Sequence, residues 1–258
     1  GIINGNGVIS IAEAKKNSYA LLSYFGRLNY AYKDRYMFEF TLRHDGSMNF
    51  ASNKRWGTFP GLSVGWRMSE EDFIKNNFSF INDLKLRASW GKLGNDRVDA
   101  FQYISTYNMQ NGAILGEIPN INKGFVPGRV GNPDITWEKV DNANIGLDLM
   151  LFDDRLSVTF DAYQRTTKDM IGPAEAIPAV SGIVPDDRAK INNATLRNRG
   201  WELSVNWQDK LKCGFSYGIG FNLFDYKAVV TKYNNPEGII YNNHTGLARN
   251  KGYYEGMD

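Results

Sequence analysis

The stretch that decides the fold is YFGRLNYAYKDRYMFEFTLRHD, residues 24–45. Its second half alternates between apolar residues at even positions and polar residues at odd ones; the apolar set is Tyr36, Phe38, Phe40 and Leu42, and the odd positions 39–45 read Glu, Thr, Arg and Asp. Successive side chains on a strand point to opposite faces, so this period of two predicts a strand and not a helix. The polar run 33–35 predicts a tight turn before it, which makes the stretch a β-hairpin with one apolar and one polar face.

The same alternation recurs along the chain. It predicts eight strands, at about 19–32, 36–44, 59–68, 83–92, 136–152, 156–166, 200–208 and 214–225. Between them, 93–134 and 167–198 show no periodicity and are interpreted as long loops. Ser69 followed by three acids predicts a short helix with Ser69 as its N-cap. We therefore expect an all-β, antiparallel fold.

Composition agrees with strands and turns. The 258 residues are 42% hydrophobic and 14% aromatic, with 26 Gly, 8 Pro and a mean hydropathy of −0.43. No run of about 18 apolar residues exists, but a membrane-crossing strand needs only about 9–11 alternating residues. A net charge of +2 without basic clusters argues against a nucleic-acid partner. The single cysteine, Cys213, excludes an internal disulfide.

The connections between the predicted strands alternate in length. Short ones (33–35, 153–155, 209–212) and one of middle length with the helix signal (69–82) fall at one end of an antiparallel sheet, and long ones (45–58, 93–134, 167–198) at the other. Outer-membrane barrels show this asymmetry, with short periplasmic turns and long extracellular loops. Charged residues on the polar rows would be unpaired in a packed core, whereas a water-filled lumen tolerates them. A soluble or surface-exposed β-sandwich or barrel that serves as a binding module stays open as the alternative.

Several motifs then carry a family resemblance. In chain order they are 24–30 (YFGRLNY), 43–47 (RHDGS), 55–60 (RWGTFP), 65–67 (GWR), 84–91 (LKLRASWG) followed by 94–95 (GN), 131–138 (GNPDITWE) and 198–202 (NRGWE). Together they resemble the SusC/RagA branch of the TonB-dependent outer-membrane transporters. The resemblance covers most of the chain.

The resemblance implies a fold and a function. Family members are large barrels of the 22-strand size class with an N-terminal plug. They import glycans or peptides through the outer membrane, powered through TonB, with a SusD-like surface lipoprotein as a lid. We find no segment resembling the plug, and expect this chain to be an internal part of such a barrel with about eight strands. The expected layout is one partial barrel domain over 1–258, with loops at 1–18 and 231–258 around strands and loops at 19–230.

The sequence offers no catalytic constellation, so we do not expect an enzyme, a cofactor or a bound metal. His44 and His244 are far apart and have no nucleophile at a motif spacing. The pairs Asp96/Asp99 and Asp186/Asp187 carry oxygen ligands suited to Ca²⁺, although solvated loops explain them more simply.

Two sets of residues are candidates for contact with a transported ligand. The first is made of aromatic residues placed in or beside long loops, whose rings stack on sugars: Trp56, Tyr103, Tyr107 and Phe125. The second is made of polar residues expected to face the lumen: Glu39, Arg43, Arg87, Asn142, Asp148 and Asp161. For the aromatics the competing interpretation is packing within the loops or against the lipoprotein lid. For the polar set it is hydrogen bonding to water, to the plug or to each other.

Overall fold

A computed structural model of the chain describes residues 2–3, 9–10, 19–115, 120–174, 179–183, 187–233, 241–242 and 250–251. Most of the expected loops at 1–18 and 231–258, together with Asp186 and His244, lie outside these residues. Within the described part, no helix has the length and apolar character needed to cross a membrane.

The described residues form strands with almost no helix. The strands are β1 Ile2–Ile3, β2 Ile9–Ser10, β3 Leu21–Tyr32, β4 Tyr36–Ser47, β5 Trp56–Arg67, β6 Ile81–Asn95, β7 Tyr107–Leu115, β8 Asn120–Pro127, β9 Glu138–Leu151, β10 Leu156–Pro173, β11 Lys190–Lys210, β12 Ser216–Tyr233, β13 Tyr241–Asn242 and β14 Asn250–Lys251. One short helix, α1, spans Asp72–Lys75 and follows a 3-10 turn at Met68–Glu70; a second 3-10 turn lies at Ala179–Ser181.

Eight of these strands build one antiparallel sheet, in the order β12-β11-β10-β9-β6-β5-β4-β3. Each strand pairs with the next one along the chain, apart from the β7–β8 hairpin, which stands outside the sheet. The tight turns use left-handed backbone: Lys33 and Asp34 have φ of 51° and 52°, and Asp153 and Asp154 have φ of 56° and 62°. Such turns match the right-handed twist of the strands they join. The predicted fold class is confirmed.

The register gives the sheet one apolar and one polar face. Residues opposite one another on neighbouring strands form rows across the sheet. One row on the apolar face runs Tyr36, Trp66, Leu86, Leu147, Phe160, Leu203, Leu223. A row on the polar face runs Glu39, Ser63, Ser89, Asn144, Tyr163, Gly200, Tyr226. The apolar face carries many exposed aromatic and aliphatic side chains, so it needs an apolar environment.

The apolar band crosses the strands obliquely. Towards the long connections, the first polar residue of the apolar face on each strand from β4 to β12 is His44, Thr58, Lys92, Asp141, Gln164, Arg199 and Asp225 in turn. From β4 to β12 this boundary moves down by about three rows, each roughly 6.8 Å high. Over the same span it crosses about six strand spacings of roughly 4.8 Å each. The slope corresponds to a strand tilt of about 35°, which lies within the range of transmembrane barrels.

A small core lies where the sheet splits at the end with the long connections. Pairing of β5 with β6 stops at Gly61 and Gly91, although β4–β5 and β6–β9 continue beyond this level. Phe59 fills the gap and packs on Gly57 and Gly94, whose lack of a Cβ makes room for its ring. Buried Phe50, Ile135 and Trp137 cover Phe59. The cluster therefore holds the long connections against the strands.

Several predicted boundaries were wrong. The 93–134 segment contains the β7–β8 hairpin, and β10 and β11 extend far into the segment interpreted as a loop at 167–198. The 48–55 connection is shorter than the 68–80 connection, so the length asymmetry is carried by 96–137 and 174–189. Ser69 does not cap α1; its hydroxyl donates to Asp83 Oδ1 at 2.9 Å, and Glu71 occupies the cap position.

Candidate functional site on the polar face and the long connections

Glycines on the polar face are covered by long polar side chains from neighbouring strands. A Cβ on Gly61 would lie 2.5 Å from Thr41 Oγ1, and one on Gly200 would lie 2.7 Å from the Tyr163 hydroxyl. The glycines thus let these side chains lie flat across the sheet. At these two places the polar face therefore presents the sides of long side chains to solvent.

The strongest polar cluster on this face is centred on Arg87. Its Nε donates to Asp148 Oδ2 at 2.7 Å, and its Nη2 donates to Asp148 Oδ1 and to Asp161 Oδ2, each at 3.1 Å. Asn144 Nδ2 donates to the other Asp161 oxygen at 3.0 Å. Gly146 lies beneath, since a Cβ there would sit 2.6 Å from Asp161 Oδ1 and 2.7 Å from Arg87 Cζ. Three of the six residues predicted to face the lumen are brought together here.

The other three polar candidates lie apart from this cluster. Arg43 is held by Asp45, with Nε 2.7 and 2.8 Å from the two carboxylate oxygens. Glu39 is half-buried between Asn29 and Ser63, and Asn142 stands between Gly91 and Arg165. Among the described residues, neither Glu39 nor Asn142 has a side-chain hydrogen bond or ion pair. These two are the polar-face candidates that keep their hydrogen-bonding capacity for another molecule.

Two aromatic candidates are engaged by the protein itself. Trp56 lies on the apolar face, where its ring stacks on His44 at 4.8 Å and on Tyr24 at 6.1 Å. Tyr103 packs against the small core at the split of the sheet and against Phe101. The structure therefore places Trp56 and Tyr103 on different parts of the molecule.

The other two aromatic candidates share one face of the β7–β8 hairpin. Tyr107 is opposite Pro127 and Met109 is opposite Phe125, so their side chains fall on the same side of the hairpin. Tyr107 is 74% exposed, Phe125 72% and Met109 57%. Sequence reasoning missed Met109, because two apolar residues at Tyr107 and Met109 are too short an alternation to predict a strand. The result is a flat apolar surface on a long connection, uncovered within the described part of the chain.

Glu71 connects three side chains at the end of the sheet where the short connections lie. Its carboxylate accepts hydrogen bonds from the Tyr36 hydroxyl at 2.6 Å, the Trp66 indole at 3.1 Å and Arg35 at 3.2 Å. The Tyr36 hydroxyl, followed by the Trp66 indole, lowers the pKa of Glu71 below its ordinary value of 4.5. A lowered pKa means that these contacts stabilise the fold above pH 4.5 and are lost as the pH falls through the folded-state value.

Asn192 is a structural residue that the sequence reasoning missed. Its Oδ1 accepts from the Thr136 amide at 3.0 Å, and its Nδ2 donates to the carbonyls of Thr136 and Asp169 at 2.9 and 2.7 Å. The side-chain amide of Asn192 thus replaces the backbone hydrogen bonds that are lost where β10 bulges between Thr167 and Ile171. The two asparagines at 192–193 are the available signal in the sequence, but asparagine is equally typical of loops.

No metal centre is formed within the described residues, where no three His, Cys, Asp or Glu side chains are grouped to hold an ion. Asp96 instead accepts hydrogen bonds from the Tyr19 hydroxyl at 2.9 Å and from the Ser47 hydroxyl at 2.6 Å. Its carboxylate therefore fastens the start of β3 and the end of β4 to the 96–137 connection.

An oblique apolar band, a polar opposite face and antiparallel neighbours define part of a transmembrane β-barrel. Residues 2–254 match the family described as TonB dependent receptor-like, beta-barrel. The chain belongs to this family, whose SusC and RagA-type members are outer-membrane proteins.

Individual relatives support the assignment. The chain is 38% identical to TonB-dependent receptor P39 of Formosa agariphila over 81% of this chain and 19% of that protein. It is 34% identical to TonB-dependent receptor SusC of Bacteroides thetaiotaomicron over 82% of this chain and 21% of that protein. A structure of the RagAB peptide transporter matches with a TM-score of 0.80 and 27% identity, over 98% of this chain and 27% of that one. The chain thus spans about a fifth of the length of its curated relatives.

Proposed function

We propose that the chain is part of the barrel of an active importer that carries oligosaccharide nutrients across the outer membrane. The observation that carries this proposal is the identity of a third or more to TonB-dependent receptors over about four-fifths of the chain. In the proposed protein, energy comes through the TonB complex by way of a plug, and a SusD-like surface lipoprotein closes the entrance.

The two faces of the sheet have different roles in this proposal. The apolar face contacts membrane lipid, and the polar face lines the lumen. The Arg87 cluster sets one guanidinium between two carboxylates and keeps one net negative charge, so it offers passing solutes a weakly acidic wall whose main donors are already used. Glu39 and Asn142 keep free hydrogen-bonding capacity in the described part of the chain. A path lined in this way binds a polar solute weakly and allows it to leave.

The β7–β8 hairpin is the proposed contact for the nutrient at the entrance. Tyr107 and Phe125 are exposed on one face, and aromatic faces stack on sugar rings. Peptides are the second candidate substrate class, because the RagAB relative at a TM-score of 0.80 is a peptide transporter. Neither candidate involves a chemical reaction on the polar face, in keeping with a family of transporters and receptors.

The test uses the full-length protein in its own bacterium. Cells with the gene deleted are grown on single oligosaccharides and on single peptides, and the gene is returned in wild-type form or with Tyr107→Ala and Phe125→Ala. We expect growth on one nutrient class to be lost, restored by the wild type and restored poorly by the double variant. A matched variant, Phe221→Ala, removes an exposed ring from the apolar face of β12, away from the proposed import path, and should restore growth fully.

Two further results bear on the proposal. Tagged full-length protein should fractionate with outer membranes and retain a surface lipoprotein during purification. Recovery from the soluble periplasm, or unchanged uptake of every nutrient in the deletion strain, contradicts an import function. Loss of growth on peptides alone would instead favour the second substrate class.

A further inference from the structure

The polar face carries a group of aromatic side chains on the three strands at one edge of the sheet. Across β10, β11 and β12 two adjacent rows read Tyr163, Gly200, Tyr226 and Asp161, Glu202, Phe224. Phe224 is 67% exposed and Tyr226 59%. Both lie on the polar face, because Asp225 between them is on the apolar face and successive side chains alternate. The aromatic patch is defined as Tyr163, Phe224 and Tyr226.

The same two rows hold no aromatic residue on the other strands of the sheet. From β3 to β9 they consist of Asn29, Ala31, Met37, Glu39, Ser63, Gly65, Arg87, Ser89, Asn144 and Gly146. A group of exposed rings on an otherwise polar surface indicates a contact with another molecule. The aromatic patch is therefore a candidate binding site on the wall that faces the lumen.

Tyr163 joins the two rings of β12 because Gly200 has no Cβ. A Cβ on Gly200 would lie 2.7 Å from the Tyr163 hydroxyl oxygen and 2.8 Å from its Cζ atom, so the phenol lies over Gly200. Tyr226 is directly opposite Gly200, and residues so paired lie about 5 Å apart. Phe224 is two residues from Tyr226, at about 6.8 Å. The three rings are thus neighbours, although they come from two strands that are not paired with each other.

Polar side chains border the aromatic patch. Glu202 stands beside Phe224 in its row, and Arg165 lies two residues from Tyr163 towards the long connections. Among the described residues, neither Glu202 nor Arg165 has a side-chain hydrogen bond or an ion pair. A carboxylate only accepts hydrogen bonds and a guanidinium only donates them. The border therefore suits a ligand whose groups can both donate and accept.

The pyranose ring of a neutral sugar has the matching surface. Its C–H groups form an apolar face that can lie on an aromatic ring, and its hydroxyls surround that face and both donate and accept hydrogen bonds. A wholly apolar ligand would take Glu202 and Arg165 out of water without a partner, which is costly. A neutral oligosaccharide meets the rings and the polar border together.

The aromatic patch lies near one end of the membrane-crossing part of the wall. Asp225, between Phe224 and Tyr226, is the first polar residue of the apolar face on β12 towards the long connections. The two rings are therefore level with the boundary of the apolar band on the side of the long connections. A solute that enters past these connections meets the patch early on its way through the lumen.

We propose that Tyr163, Phe224 and Tyr226 form a platform on which the pyranose rings of a neutral oligosaccharide stack inside the barrel. Glu202 and Arg165 hydrogen-bond to hydroxyls of the same sugar. This inference rests on the import function proposed above and adds a substrate contact within the lumen, beyond the β7–β8 hairpin at the entrance.

The test titrates the full-length protein in neutral detergent with cellohexaose, maltohexaose, mannohexaose and xylohexaose, by isothermal titration calorimetry. The double variant Phe224→Ala with Tyr226→Ala should weaken binding of any hexasaccharide that the wild type binds by at least about fivefold. Exchanging the two residues, Phe224→Tyr with Tyr226→Phe, keeps both rings and should bind more tightly than the double alanine variant. The matched control Phe221→Ala removes an exposed ring from the other face of β12 and should bind within about twofold of the wild type.

The stability of the double alanine variant separates a binding role from a packing role. Its midpoint of urea unfolding in lipid vesicles should stay close to that of the wild type. A lower midpoint with unchanged affinity means that the rings pack against the protein itself, which overturns the proposal. Failure of the wild type to bind any of the four hexasaccharides also overturns it, as does a loss of affinity for hexa-alanine but for no sugar.

Growth of the deletion strain distinguishes failure of this proposal from failure of the import function. If growth on an oligosaccharide is lost and the double alanine variant restores it fully, import stands and the platform is overturned. If the deletion strain grows fully on every oligosaccharide, import is contradicted. Binding of a hexasaccharide that depends on the two rings would then still support the platform.

Discussion

Replacing Phe40 with arginine tests which face of the sheet meets lipid. On β4 the apolar face runs from Tyr36 to His44, and Phe40 lies midway, four residues from each. Its ring is flanked by Leu28 on β3 and Leu62 on β5. An arginine at the bilayer midplane of a barrel destabilises it by about 2–4 kcal/mol, and the effect fades towards the interfaces. Phe40→Arg should therefore reduce the folding equilibrium constant by roughly 30- to 900-fold.

The control places the same side chain on the opposite face at the same depth. Asn29 is exposed on the polar face and stands directly across from Glu39, so Asn29→Arg introduces a charge into water beside an acid. Its effect should stay within about 0.5 kcal/mol. Full-length variants are folded into lipid vesicles and unfolded with urea, with tryptophan fluorescence and gel mobility as readouts. Equal midpoints for Phe40→Arg and Asn29→Arg would refute the assignment of the faces.

Three further outcomes follow from the contacts. Phe59→Ala should lower the free energy of unfolding by about 3–5 kcal/mol in the same urea assay, because Phe59 is only 6% exposed, whereas Phe25→Ala, at 84% exposure, should have almost no effect. Gly146→Val should destabilise by about 1–3 kcal/mol, since its side chain displaces the Arg87 guanidinium from its two carboxylates; equal stability to the wild type would contradict that packing. Lowering the pH from 6 to 3 should destabilise the wild type more than Glu71→Gln, because the lowered pKa of Glu71 makes its contacts a source of stability that acid removes; parallel pH curves would count against this.

The sequence predicted the sheet and its faces because alternation is a local signal. From Tyr36 to Leu42 every second residue is apolar, and the neighbouring strands show the same alternation. The pattern therefore predicts both the register and the face on which each side chain lies. The long connections gave no such signal. The β7–β8 hairpin alternates only briefly, at Tyr107 and Met109, which is too short a pattern to predict a strand. The ends of β10 and β11 are mixed on both sides, and their pairing is supported by tertiary contacts such as those of Asn192.

The candidate site was predictable only in part, for a related reason. Alternation assigned Arg87, Asp148 and Asp161 to one face. Their contact, however, depends on the register between three strands and on the space left by the missing Cβ of Gly146. Trp56 was predicted to lie in a loop, although it begins β5 and stacks on His44. Whether any of these residues contacts a transported ligand stays a prediction.

Strand number and the tilt seen in the oblique apolar band together set the curvature of a barrel wall. At a tilt of about 35–40° each strand occupies about 6 Å of circumference, so a barrel of about 22 strands is roughly 42 Å across and turns by only about 16° from strand to strand. Eight strands closed on themselves would turn by about 45° each, and their inner side chains would converge on an axis. In the gently curved wall, neighbouring side chains stay nearly parallel. Tyr163 can then lie across Gly200 on the neighbouring strand.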